Sequence, residues 1–156
     1  MAFFEYLVGT QAFPEFDSFH AHCAMRVTMP TASCQQAFNS MKDAVQDWKP
    51  EPKAGGTYKM WDAIELEYFW ATRTTASGKY VDDIEFEFFG NPANFREQGC
   101  TVSAKSRSQS LSFYDYNTNY CNMWNVFKVV RDSGMSFESS ECKWAPKDPQ
   151  TACSLN

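Results

Sequence analysis

Histidine is almost missing from this chain: 156 residues contain two, His20 and His22. No Ser/His/Asp or Cys/His constellation can be assembled around them, so the common nucleophilic machineries have no visible basis. Pairs of the form CxxC are absent, which removes zinc-ribbon and thioredoxin-type readings. HExxH, EF-hand spacing and a glycine-rich phosphate loop are missing too. No apolar run approaches the roughly twenty residues that span a bilayer. Basic residues are outnumbered, 14 Lys and Arg against 19 Asp and Glu. The resulting net charge of −5 argues against nucleic acid, whose partners carry a basic patch. There is also no N-x-S/T acceptor to report on compartment.

Aromatic side chains are abundant instead, with 14 Phe, 7 Tyr and 5 Trp. Such flat groups fill a core, line a ligand cavity or coat an interface. A hydrophobic content of 44% excludes a disordered chain, and the length suits one domain with a real core. The six cysteines, at 23, 34, 100, 121, 142 and 153, are an even set. Their expected state is disulfide-bonded in an oxidising compartment, secreted or within an organelle lumen; fifteen pairings are open, and free thiols are the alternative. The start, MAFFEYLVG, has neither a basic n-region nor a cleavage site. Either a targeting segment precedes this chain or the protein is made without one.

Three regions follow from the pattern: an aromatic-rich arm (1–19), a single α+β domain (20–134) and an irregular, cysteine-containing tail (135–156). Within the domain, HCAMRVTMP alternates with Cys23, Met25, Val27 and Met29 on one side, a strand ended by Pro30. A helix follows, capped by Thr31 or Ser33, with Cys34, Ala37, Phe38, Met41, Val45 and Trp48 as its apolar stripe. A short strand is expected around TYKMW. AIELEYFWATRTT reads as one more, with Ile64, Leu66, Tyr68 and Trp70 opposite Glu65, Glu67 and Arg73. YVDDIEFEFF splits into Tyr80, Asp82, Ile84, Phe86 and Phe88 against Val81, Asp83, Glu85, Glu87 and Phe89. The next strand sets Val102, Ala104, Ser106 and Ser108 against Lys105 and Arg107. DYNTN then turns into a second helix striped by Tyr120, Met123, Trp124, Phe127 and Val130. An antiparallel sheet of about five strands, with two helices on one face, is the expected architecture.

The acidic strand (Asp82, Asp83, Glu85, Phe86) and the later Ser106, Arg107, Asp115 and Asn119 resemble the family known as domain of unknown function 1499. The likeness would cover residues 22–130. Asn117 stands where that family has glycine, Asn122 where it has a basic residue, and the gap from Arg107 to Asp115 is longer. The family has no established chemistry, so the resemblance implies an order of elements and no reaction.

Asp82 is the anomaly, a carboxylate sharing a strand face with large apolar groups. It needs a hydrogen-bonding partner, a shifted pKa or a role. The expected site is a cavity between sheet and helices, lined by Tyr68, Trp70, Tyr80, Phe86, Ser106 and Trp124, with Asp82 as polar contact. It would hold an apolar or aromatic small molecule, a lipid or pigment; no cofactor is required. Asp83, Glu85, Glu87, Lys105 and Arg107 read as a solvated face. Two other readings stand beside this one. One is an accessory subunit docking on a larger protein assembly through arm and tail. The other is an enzyme or metal protein using Asp82, or using His20 and His22 with Glu65 or Glu67.

Overall fold

The computed structural model describes residues 12–91, 93–112 and 114–153. Its elements are β1 (His22–Ser33), α1 (Cys34–Asp47), β2 (Thr57–Ile64), β3 (Tyr68–Thr74), β4 (Val81–Phe89), β5 (Gln98–Ser108), α2 (Thr118–Phe127), β6 (Ser136–Ser140) and α3 (Pro149–Ala152). The six strands form one antiparallel sheet in the order β2-β3-β4-β5-β1-β6. The protein is therefore α+β, with one strand and one short helix more than the sequence pattern suggested. Among the described residues, no helix is long and apolar enough to cross a membrane.

Period-two burial identifies the face that α1 and α2 cover. In β5, Cys100, Val102, Ala104, Ser106 and Ser108 are all buried, and β1 contributes Cys23, Met25, Val27 and Met29 opposite them. Ser33 starts α1 with a reciprocal cap: its hydroxyl accepts from Gln36 N, and Gln36 Oε1 accepts from Ser33 N. The expected stripe of α1 is buried from Cys34 to Val45, Trp48 follows the helix half-buried, and Phe38 meets Phe69 and Phe88 edge-on. From α2, Phe127 packs edge-on against Phe86, with centroids 5.3 Å apart. These rings fill the middle of the layer between sheet and helices.

Two expectations fail for identifiable reasons. AIELEYFWATRTT is a hairpin, with a turn between Ile64 and Tyr68 in which Leu66 has a φ of +65°. Alternation counted through a turn loses its meaning, so the faces of β3 are reversed. Phe69, Ala71 and Arg73 point to the helices, register-paired with Phe86, Ile84 and Asp82. Tyr68 and Trp70 lie on the outer face, beside Glu87 and Glu85. The tail also holds order: Ser136–Ser140 pairs with β1 as an edge strand too short to show by pattern.

Three disulfides lock this layout, Cys23–Cys142, Cys34–Cys100 and Cys121–Cys153. They tie β6's end to β1, the start of α1 to β5, and α2 to α3. On the outer face, the described part of the arm crosses the sheet. Phe13 meets Trp70 at 5.5 Å, Phe16 stacks on His22 at 4.3 Å, and Arg107 donates to Asp17 at 3.1 Å.

Replacing Cys34 and Cys100 together by alanine frees a closure spanning 66 residues. The expected cost is about 4 kcal/mol of unfolding free energy by loop entropy. It should appear as a lower urea midpoint; an unchanged midpoint would contradict the assigned pairing.

Candidate functional site

Asp82 is buried, and its partner comes from α2. Asn122 Nδ2 donates to Asp82 Oδ2 at 2.7 Å and to Ser106 Oγ at 3.2 Å. Ser106 donates to Asn119 Oδ1 at 2.6 Å, and Asn119 Nδ2 donates to Ser108 Oγ and to Asp115 Oδ2. Asn119 and Asn122 are three residues apart and so share the helix face turned to the sheet. Each uses both amide hydrogens within this network. Asp115 also accepts from Asn119 N at 3.0 Å and so satisfies one of the free N–H groups in the first turn of α2, whose N-cap is Asn117. Burial raises the pKa of Asp82 above the ordinary carboxylate range, while Asn122, Ser108 and Arg73 pull it back.

One layer further in lies an ion pair that the sequence did not disclose. Arg73 Nε and Nη2 both donate to Glu51 Oε1, at 2.9 and 2.5 Å, with both residues buried. Gly56 lies flush against the guanidinium: a Cβ there would sit 2.5 Å from Arg73 Nε. Its N–H donates to Glu51 Oε1 as well. Without a Cβ, Gly56 makes room for the buried charge. The alternation sets Arg73 on the outer face, opposite Tyr68 and Trp70, and the reversed faces of β3 turn it inward.

A cleft of about 260 Å³ opens where this network reaches solvent. Asp82, Ser108 and Asp115 form its floor, and Tyr80, Leu111, Tyr114 and Tyr116 form its rim. The rim residues are 47–75% exposed, a high value for four large side chains in one place. Tyr116 and Asn117 both have left-handed backbones, with φ of +49° and +74°. For the tyrosine this costs about 1–2 kcal/mol, strain of a kind that gathers at functional loops.

The residues expected to share one cavity are thus divided. Tyr80 and Asp82 border the cleft, and Ser106 lies behind it through Asn122. Phe86 is closed into the core. Trp124 sits toward the other end of α2, beside a separate hollow it shares with Trp48. Tyr68 and Trp70 line a third hollow of about 470 Å³ on the outer face, with Phe13, Phe95, Glu85 and Glu87. That hollow is larger, but its acids belong to a half-exposed sheet surface. The solvated face needs correcting as well. Asp83 is 5% exposed and accepts from Trp70 Nε1 at 3.0 Å. Glu85 is pushed up to about 7 by burial and by Glu87 beside it, with Lys105 opposing.

His20 and His22 are committed locally. His20 Nδ1 lies 2.9 Å from Asp17's carboxylate, and His22 Nδ1 donates to the His20 carbonyl at 2.9 Å. The His20 contact, with Arg107 and two backbone amides, holds the Asp17 carboxyl well below its usual range. Glu65 and Glu67 lie in the β2–β3 turn, three strands away from β1 in the sheet order. No group of three or more His, Cys, Asp or Glu able to hold a metal occurs among the described residues.

The positions behind the family resemblance separate by face. Asp82, Ser106, Asp115 and Asn119 meet at the start of α2, while Asp83 and Arg107 are register partners on the outer side. No family model and no curated protein matches the chain. Among solved structures, a conserved protein from Geobacillus kaustophilus is similar at 7% identity over 70% of this chain and 86% of that one. The TM-score is 0.35, too loose a likeness to carry an argument.

Asn122→Leu should cost about 3 kcal/mol, because Asp82 and Ser106 lose a shared donor inside the protein. Chemical denaturation measures this; a loss under about 1 kcal/mol would show the network to be dispensable. For Glu85, the folded state holds its proton more tightly than the unfolded chain, whose value is 4.5. Its contribution is complete below that pH and is lost as pH rises through about 7. Glu85→Gln should therefore flatten stability against pH across that window; an unchanged slope would contradict the assignment.

Proposed function

We propose that this domain is a small-molecule binding module whose ligand occupies the cleft above Asp82. The observation that carries this is the meeting of a buried, hydrogen-bonded polar network with an open, tyrosine-rimmed hollow. Binding sites combine apolar and aromatic walls with a few placed polar groups. Here the walls are Tyr80, Leu111, Tyr114 and Tyr116, and the polar groups are Asp82, Ser108 and Asp115. The volume is a little below the roughly 300 Å³ at which drug-sized pockets begin. The occupant is accordingly smaller than a whole lipid or pigment. Its apolar or aromatic part lies against the tyrosines and its polar end meets the floor.

One observation favours the accessory-subunit reading as a second. The arm and the tail both reach this end of the molecule. Phe19 is bonded through its carbonyl to Ser112 N, and Trp144 lies 6.2 Å from the Tyr114 ring. Together with Leu111 they make an exposed aromatic surface continuous with the rim. A partner protein seated there would bury the same tyrosines.

A set of small aromatic compounds, followed by amide chemical shifts, tests the module. Shifts should concentrate at residues 80–82 and 108–118. Tyr80→Ala and Tyr116→Ala should each weaken binding about tenfold, the scale of one lost aromatic contact, with melting temperature unchanged. Compounds that perturb no residue of the cleft would sink the reading. Co-purification with a large complex, lost in Tyr114→Ala, would favour the second.

A further inference from the structure

We infer that the cleft selects a small organic cation, an amine or a quaternary ammonium, over a neutral molecule of the same shape. This rests on the cleft being the ligand site and adds the chemical class of what enters it.

Charge balance is the first ground. Glu51, Asp82 and Asp115 follow one another from the buried ion pair to the cleft floor, and Arg73 is the positive group among them. Arg73 is committed to Glu51 by two hydrogen bonds, and it faces Asp82 across the β3–β4 register. Asp82 accepts from Asn122 and Ser108 and feels Arg73, whereas the donors to the Asp115 carboxylate are the side-chain and backbone N–H groups of Asn119, which orient it without neutralising it. The floor is short of positive charge in a partly desolvated place, where an opposite charge interacts more strongly than in water.

The rim supplies the second ground. Tyrosine rings carry a negative face, and an ammonium within about 6 Å of the centroid is attracted to it. Two of the three rim rings already have such a partner. Lys79 Nζ lies 5.3 Å from the Tyr80 centroid, and Lys143 Nζ lies 5.1 Å from that of Tyr114. Both are the chain's own lysines, so Tyr80 and Tyr114 already face a cation and Tyr116 is the rim ring left to a ligand's ammonium. Tyr116 is the most exposed of the three at 75%, and its strained backbone holds it beside Tyr114, with centroids 6.5 Å apart. A compact ammonium in the cleft meets ring faces at the rim and carboxylates at the floor. A neutral isostere gains only the apolar part.

Choline and 3,3-dimethylbutan-1-ol, its uncharged carbon isostere, make the comparison. Both are titrated into the full chain at constant ionic strength, with calorimetry for affinity and amide shifts for location. Choline should bind at least tenfold tighter, with shifts at residues 80–82 and 108–118. Asp115→Asn, which keeps a side-chain oxygen to accept from Asn119, should remove most of that preference by weakening choline far more than the alcohol. Tyr116→Leu should reduce it as well, and melting temperatures confirm that both variants fold. Equal binding of the two compounds in the cleft would overturn the inference and leave the binding-module reading standing. A choline preference that survives both variants would also overturn it. Binding of neither compound while an aromatic probe occupies the cleft would overturn the inference alone, and binding of no probe at all would remove both proposals together.

Discussion

Everything near the candidate site depends on one bond, Asn122 Nδ2 to Asp82 Oδ2. A carboxylate at 3% exposure needs donors or it must give up its charge. By taking the donor from α2, the fold makes the helix's rotation about its own axis part of the solution. Asn119, one turn earlier on the same face, then falls opposite Ser106 and Ser108. The apolar residues of α2 go to the remaining core. A helix packed by Met123 and Phe127 alone could slide against a smooth sheet; the amide pair removes that freedom.

The same side of the sheet holds a buried ion pair. Arg73 enters from β3, Glu51 from the loop after α1, and Gly56 yields the space between them. Disulfides hold the elements that must stay in place around this: Cys34–Cys100 joins the start of α1 to β5, and Cys121–Cys153 anchors α2. Chain closure of that kind restrains the unfolded state more than it shapes the folded one. The specificity of the arrangement therefore lies with the hydrogen bonds, and the disulfides add durability.

The cleft is the place where this network stops being sealed. Farther inward, the strand faces are closed by Phe86 and Phe127; at the start of β4 and the end of β5 the rim segment is open to solvent instead. Its tyrosines are exposed and part of its backbone is left-handed. Local rules are broken there without any gain in core packing, which is the pattern expected of a site kept for binding.

Much was visible in the residues alone. Period-two alternation placed β1, β4 and β5 on the correct faces, and the stripe from Cys34 to Trp48 marked α1, because both signals are local and repeat. Asp82 stood out for the same reason: a polar residue breaks an apolar series wherever that series folds. The even cysteine count pointed to disulfides, although not to their pairing. Tertiary structure decided the rest. The faces of β3 turned on whether the chain bends at Leu66, where alternation cannot see. The Glu51–Arg73 pair joins residues 22 apart in sequence, and Asn122 meets Asp82 across 40. Both depend on which elements become neighbours. Sequence period sets which way a side chain points within its own strand or helix, while the partner it meets is set by packing.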